Sequence, residues 1–203
     1  MKKIGILTML LAVLGPVSRA EQAADAAGKT VFIDVHEFTP GAVTASEIAK
    51  AHSRDVAVAA RFGVRFIEYW IDAAHGRVYS LVEAADAASI TAAHAKGQGL
   101  SPARILAVSA GAASKALGGR PLFLDIHEFG PGNVEPAAVA GAHLKDLEVE
   151  SQYGVNFINY WVDTEHGSVF CLSEADTADE VVETHRHAHG LLPATVVQVT
   201  PGQ

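Results

Sequence analysis

Residues 31–38 alternate strictly: Val31, Ile33 and Val35 on one side, Phe32, Asp34, His36 and Phe38 on the other. A period of two predicts a strand with two unlike faces, and Pro40-Gly41 ends it. Thr44 with Glu47 three residues on has capping-box spacing. It predicts a helix to about Phe62, with Ile48, His52, Val56 and Ala59 on one stripe, stopped by Gly63. Residues 64–72 and 77–84 read as strands joined by a turn at Ala73–Gly76, hence an antiparallel hairpin. Asp86 or Ser89 starts a second helix that ends near Gly97–Gly99, and 103–109 is a last strand.

The whole pattern then recurs. VFIDVHEFTPG (31–41) returns as LFLDIHEFGPG (122–132), and 63–84 returns as 154–175. The offset is 91 without a gap, and 34 of the 82 aligned positions from Val31/Leu122 to Ala112/Gln203 are identical. The chain is a tandem duplication. The second copy's elements fall at 122–129, 135–153, 155–163, 168–174, 176–189 and 194–200.

The order β-α-β-β-α-β is the ferredoxin-like split unit, so the fold class is α+β with two such repeats, 31–110 and 122–203. Residues 111–121 (GAASKALGGRP) are a small-residue linker. A four-stranded sheet with both helices on one side leaves its other face bare. We expect that face to carry Phe32, Phe38 and either the Tyr69 or the Trp70 side of the second strand. Leaving it in water costs about 25 cal/mol per Å² of apolar area. The repeats should therefore cover each other as an intramolecular pseudo-dimer, resembling a dimeric α/β barrel.

Composition narrows the function. A chain of 203 residues with 49% hydrophobic and 19% charged residues is globular. One cysteine excludes an intramolecular disulfide and a CxxC zinc ribbon. A formal charge of -8 argues against a nucleic-acid partner. Residues 1–20 read as a bacterial secretory signal peptide. Lys2 and Lys3 precede an apolar run from Ile4 to Leu14, Pro16 follows, and Ser18-Arg19-Ala20 supplies small residues for cleavage. The run is too short for a membrane span of about twenty residues, so no stable span is expected after cleavage. The expected location is secreted or periplasmic, with 21–30 as a flexible leader. Cleavage would remove Lys2, Lys3 and Arg19 and take the charge to -11, a field that attracts cations.

Ten histidines are the unusual feature. Eight form in-register pairs: His36/His127, His52/His143, His75/His166 and His94/His185. Asp34 and His36 share a strand face, as do Asp125 and His127. A carboxylate there can orient an imidazole and raise its basicity, the part of a residue behind a metal ligand. His52 and His143 have Asp55 and Asp146 three residues on, which reads as core histidines bonded to those carboxylates or as support for a metal site. His75 and His166 sit in the hairpin turns and read as exposed. His185 and His189 have the i, i+4 spacing by which a helix chelates a metal, and the first copy has Gln98 where the partner would be. Glu83 and Glu174 end the third strands, central neighbours of the first, so they are expected to approach His36 and His127. Imidazole with carboxylate suits Ni(II), Zn(II), Co(II) or Cu(II) better than Ca(II) or Mg(II). The metal-ligand candidates are thus His36, Glu83, His94, His127, Glu174, His185 and His189, supported by Asp34, Asp125, His52 and His143. Cys171, with Ser80 in its place in the first copy, reads as buried and structural.

The strand-one H-E-x-x-P-G, the Y/F-G-V-x-F and V-x-C-L-x-E-A stretches, and a helical His before G-x-x-P-A resemble a small bacterial ferredoxin-like family of unknown function. One member of that family is a dimeric nickel-binding protein. The resemblance covers roughly 31–109 and 122–200. It implies a ferredoxin-like fold, paired copies and nickel, or another divalent transition metal, as ligand. The matching positions are His36, Glu83, His94, His127, Glu174 and His185. The chain departs by its duplication, its leader and a longer hairpin turn. Two functions follow. One is an exported binding protein for a divalent transition metal, with nickel first. The other is a barrel-type enzyme acting on a small organic substrate through the Asp34-His36 and Asp125-His127 dyads, with Tyr69 and Tyr160 as hydrogen-bond donors. A pocket between the sheets lined by His36 and His127 would favour the enzyme.

Overall fold

The structure is a computed structural model that describes residues 28–203. The signal-peptide and leader expectations therefore lie outside the described residues, apart from 28–30. Among the described residues no helix is long and apolar enough to cross a membrane.

The first copy contains β1 (Thr30–Glu37), α1 (Ala45–Ala59), β2 (Arg65–Asp72), β3 (Arg77–Ala84), α2 (Ala87–Gly97) and β4 (Arg104–Ala110). The second contains β5 (Leu122–Glu128), α3 (Pro136–Val149), β6 (Asn156–Asp163), β7 (Ser168–Glu174), α4 (Ala178–Ala188) and β8 (Thr195–Gly202). The starts of α1 and α2 are set as the sequence predicts. Thr44 accepts from Glu47 N at 3.3 Å while the Glu47 carboxylate accepts from Thr44 N at 3.0 Å. Asp86 caps α2, and Thr177 with Glu180 forms a second capping box on α4.

All eight strands close into one antiparallel barrel in the order β1-β3-β2-β8-β5-β7-β6-β4. Within each half β1 pairs with both β3 and β4, and β5 with both β7 and β8. Two short seams join the halves: Tyr69–Ile71 with Thr200–Gly202, and Ser109–Ala110 with Trp161–Val162. Glycines in the same register make both seams possible. A Cβ on Gly111 would stand 2.0 Å from the Tyr160 ring, and one on Gly202 would stand 2.1 Å from the Tyr69 ring. The linker is not loose. Gly111 N donates to Tyr160 O, Ser114 N to Ile158 O, and Leu117 N and Gly118 N to the Glu174 carboxylate.

The faces of β1 are the reverse of the expectation, whereas on β2 the Trp70 side, one of the two expected, faces inward. The barrel interior is filled by Ile33, Val35, Trp70, Leu81 and Leu106 with their second-copy counterparts, and Trp70 meets Trp161 at 5.1 Å between ring centroids. Phe32 packs beneath the helices with Ala59, Ile90 and Ala93, and Phe38 and Tyr69 pack with Ile48. The all-apolar side of β1 is the one that needs a dry partner. The side that mixes Phe32 with Asp34 and His36 lies under helices that can supply polar groups. β2 carries a register shift between Phe66 and Glu68, and β6 one between Phe157 and Asn159. This bulge lets Phe66 and Tyr69, three residues apart, both face the helices.

Candidate metal centres

Each half builds the same buried site between its sheet and its two helices, outside the barrel. In the first half β1 supplies Asp34 and His36 on its helix-facing side, α1 supplies Asp55 and α2 supplies His94, all buried. His94 Nδ1 donates to Asp55 Oδ2 at 2.8 Å, and Nε2 lies 3.1 Å from Asp34 Oδ2. His36 Nε2 stands 3.7 Å from Asp34 Oδ1, and its ring meets His94 edge-on at 4.7 Å. In the second half His185 Nδ1 lies 3.0 Å from Asp146 Oδ1, while its Nε2 lies 3.4 Å from Asp125 Oδ1. His127 Nε2 stands 3.2 Å from that same oxygen. In each half three donor atoms lie within 4.8 Å of one another: those of Asp34, His36 and His94, and those of Asp125, His127 and His185.

Burial alone would strip the His94 ring of charge, but the hydrogen bonds and charges of Asp34 and Asp55 outweigh it and lift the ring to about 9. The same opposition at His185, where the Asp125 charge leads the favourable side, lifts that ring to about 10. Burial would raise Asp125, yet the nearby His185 holds it at about 2. His36, by contrast, is pushed below its ordinary value by burial, which the Asp34 charge only partly offsets.

The polar atoms are incompletely satisfied. Asp34 Oδ1, both Asp125 oxygens, His127 Nδ1 and His185 Nε2 are buried without a hydrogen-bond partner. The contacts around Asp125 are close but badly angled for hydrogen bonds. Buried carboxylate oxygens and imidazole nitrogens left this way are costly for a protein alone. They are the donors a cation uses. Three protein donors with room for others is also the pattern of an open metal site. The donor chemistry therefore fits a divalent transition metal.

Several expected residues fall elsewhere. Glu83 and Glu174 do not join the clusters. β1 and β3 are central neighbours as expected but antiparallel, so Glu83 pairs with Val31 while His36 pairs with Val78. Glu83 instead binds Arg65, and the buried Glu174 caps the linker amides and accepts from Asn156 Nδ2 at 3.0 Å. Asp34 and Asp125 stand among the clustered donors rather than behind them. The carboxylates behind are Asp55 and Asp146, which orient the ring nitrogens facing away from the cluster. Their spacing to His52 and His143 was legible, but their pairing with another helix was not. His52 and His143 are not bonded to those carboxylates. They rest on Tyr69 and Tyr160, each at 4.6 Å, and line the clefts. His75 and His166 are mostly exposed, with ring nitrogens 2.8 Å from the buried Asp72 and Asp163.

The two halves differ at their openings. The cleft over the second cluster is several-fold roomier than the cleft over the first. The larger is walled by Phe129, Val139, Tyr160, Cys171 and Leu191. Cys171 is buried, pairs with Asp125 across the strands, and has its thiol pushed well up by burial. His189 lies 3.1 Å from Asp146 Oδ1 and 3.3 Å from His185 Nδ1. Gln98 takes its place in the first half, with its amide nitrogen 2.9 Å from His94 Nδ1. The barrel interior, the place expected for an enzyme pocket, is packed with apolar side chains.

Comparison with known proteins gives one family. The model described as "SCO4226-like: Nickel responsive protein SCO4226-like" matches residues 32–108 and again 123–199, one match per copy. Among solved structures, SCO4226 from Streptomyces coelicolor A3(2) is 32% identical over 37% of this chain and 90% of its own, with a TM-score of 0.35. A putative monooxygenase from Lactobacillus acidophilus NCFM is 12% identical over 85% of this chain and 94% of its own, with a TM-score of 0.47. One from Fusobacterium nucleatum is 11% identical over 86% and 93%, with a TM-score of 0.45. No curated protein matches the chain.

Proposed function

We propose that this chain, which belongs to the SCO4226-like family of nickel responsive proteins, is an exported binding protein for a divalent transition metal, with nickel the first candidate. The observation that carries the reading is the pair of buried clusters Asp34-His36-His94 and Asp125-His127-His185, with their unpartnered donor atoms. Each histidine of α2 or α4 would face the ion with Nε2. Its Nδ1–H rests on Asp55 or Asp146, an arrangement that fixes ring orientation and raises ligand basicity. Binding must displace the proton these rings hold, so uptake releases protons to the buffer. The halves are ferredoxin-like repeats paired in one chain, and the leader would send the protein out of the cytoplasm, where the ion is the cargo.

Isothermal titration of the chain from residue 21 with Ni(II), Zn(II), Co(II) and Cu(II) tests this. The expected result is binding at the two clusters that His36→Ala with His127→Ala removes, while circular dichroism shows the fold retained. Absence of binding tighter than about 100 μM (about 5.5 kcal/mol) for all four ions would overturn it. A second reading, a barrel-type enzyme with an Asp-His dyad, is favoured by the roomier cleft of the second half, which joins His127 and Tyr160 to apolar walls. Small-molecule fragments that shift the amide resonances of Phe129, Tyr160 and Leu191 in the metal-free protein would support it. A screen with no such shift would count against it.

A further inference from the structure

The duplication wrote the same site twice and then changed one residue at its rim. Position 98 in the first half is glutamine and its counterpart, position 189, is histidine. The side chains occupy matching places, the Gln98 amide nitrogen 2.9 Å from His94 Nδ1 and the His189 Nε2 3.3 Å from His185 Nδ1. A neutral carboxamide is a weak ligand for a divalent transition metal, whereas an imidazole nitrogen is a strong one.

The replacement creates a third set of donors. Atoms of Asp146, His185 and His189 lie within 4.8 Å of one another. The nearest separations are 3.0 Å for Asp146 to His185, 3.1 Å for Asp146 to His189 and 3.3 Å between the two rings. Adjacent ligands around an ion with bonds of about 2.1 Å stand about 3.0–3.4 Å apart. This outer set uses His185 Nδ1, and the inner cluster with Asp125 and His127 faces His185 Nε2. The two nitrogens of one ring therefore point at two donor sets. The outer set borders the larger cleft, with His189 only partly buried.

We propose that the second half holds two divalent transition-metal ions on opposite nitrogens of the His185 ring, and the first half only one. This rests on the metal-binding reading above. Filling both positions removes both ring protons of His185 to the buffer and leaves an imidazolate bridge. Two ions of charge +2 then face Asp125, Asp146 and the imidazolate, a net charge of +1 that the site can hold. His189 binds through Nε2, so its Nδ1 takes the ring proton. That gives up the 3.1 Å bond Nδ1 accepts from Leu191 N, a residue exposed enough for water to replace it.

The experiment counts Ni(II), and separately Zn(II), bound per chain by equilibrium dialysis and atomic emission. The wild-type chain should bind three equivalents. His189→Gln, which copies the first half's own residue, should bind two, and Gln98→His should bind four. His127→Ala should lose one equivalent and His185→Ala two, the mark of a shared ring, with circular dichroism reporting the fold of each. Should His185→Ala fail to fold, the His189→Gln and Gln98→His counts still decide. Two equivalents in the wild-type chain, or a count that His189→Gln leaves unchanged, overturn this proposal and leave the metal-binding reading standing. No metal bound by any variant overturns both.

Discussion

Barrel closure rests on two glycines, and Gly111→Ala tests it directly. The new Cβ would lie 2.0 Å from Tyr160 Cζ and 2.1 Å from Cε1, against 3.4–4 Å for ordinary contact. The ring has little room to retreat, because Tyr160 is buried and packs against His143 at 4.6 Å between ring centroids. Overpacking of this kind costs about 1–3 kcal/mol. The seam is short, so displacement also loosens the Gly111 N to Tyr160 O bond and the Ser114 N to Ile158 O bond, each worth about 0.5–1.5 kcal/mol net. A total of about 2–6 kcal/mol corresponds to a fall in Tm of about 4–24 °C for a chain of this size. Urea and thermal unfolding followed by circular dichroism measure it. The control is Tyr160→Leu, which removes the atoms that collide. In that background Gly111→Ala should cost under about 1 kcal/mol, a coupling between contacting residues that a double-mutant cycle isolates. Equal losses in both backgrounds, or a loss below about 0.5 kcal/mol in the wild-type background, would refute the steric account.

Three further outcomes follow from the sites. Metal-free stability should fall with rising pH: the folded pKa values of His94 and His185 exceed the ordinary 6.5, so their stabilisation is complete below about 6.5 and is lost as pH passes about 9 and then about 10. Tm measured in chelator from pH 6 to 10.5 checks this, and a profile no steeper than that of a His94→Gln, His185→Gln variant would contradict it. Asp55→Asn should weaken nickel binding in the first half by about 10–100-fold by freeing the His94 ring, and titration showing unchanged affinity would remove Asp55 from its orienting role. Glu174→Gln should destabilise the chain by about 1–3 kcal/mol through the linker amides it caps, yet leave metal affinity unaltered, as should Glu83→Gln. Lost metal binding in either variant would restore the glutamates to the site.

The duplication, the element order and the helix caps were legible because they depend on local periodicity and short-range spacing. Thr44 with Glu47 and the turn at Gly76 needed no tertiary knowledge. The site was only half legible. Asp34, His36 and His94 carried their chemistry in the sequence, but strand direction decided that Glu83 would face Val31, and a list of strands does not give direction at a glance. Asp55 looked like the partner of His52 because both share a helix face. The neighbouring helix outbid that local pairing, since His94 comes from α2 with a ring that reaches between two carboxylates. Likewise, alternation showed that β1 has two faces, but the mixed aromatic side was mistaken for the barrel face. The buried polar groups needed helices above them, while the fully aliphatic side could tolerate a dry core.

The linker has a consequence for how the two centres can diverge. In a barrel made from two separate copies, rotational symmetry requires every substitution to appear at both centres at once. Joining the copies through 111–121 breaks that requirement, so Gln98 and His189, or Ser80 and Cys171, can be chosen independently. It also makes assembly of the barrel an intramolecular event, governed by an effective concentration rather than by how much protein is present. The chain diluted far below any dimer's dissociation constant would still close its barrel, and its two centres would stay free to specialise.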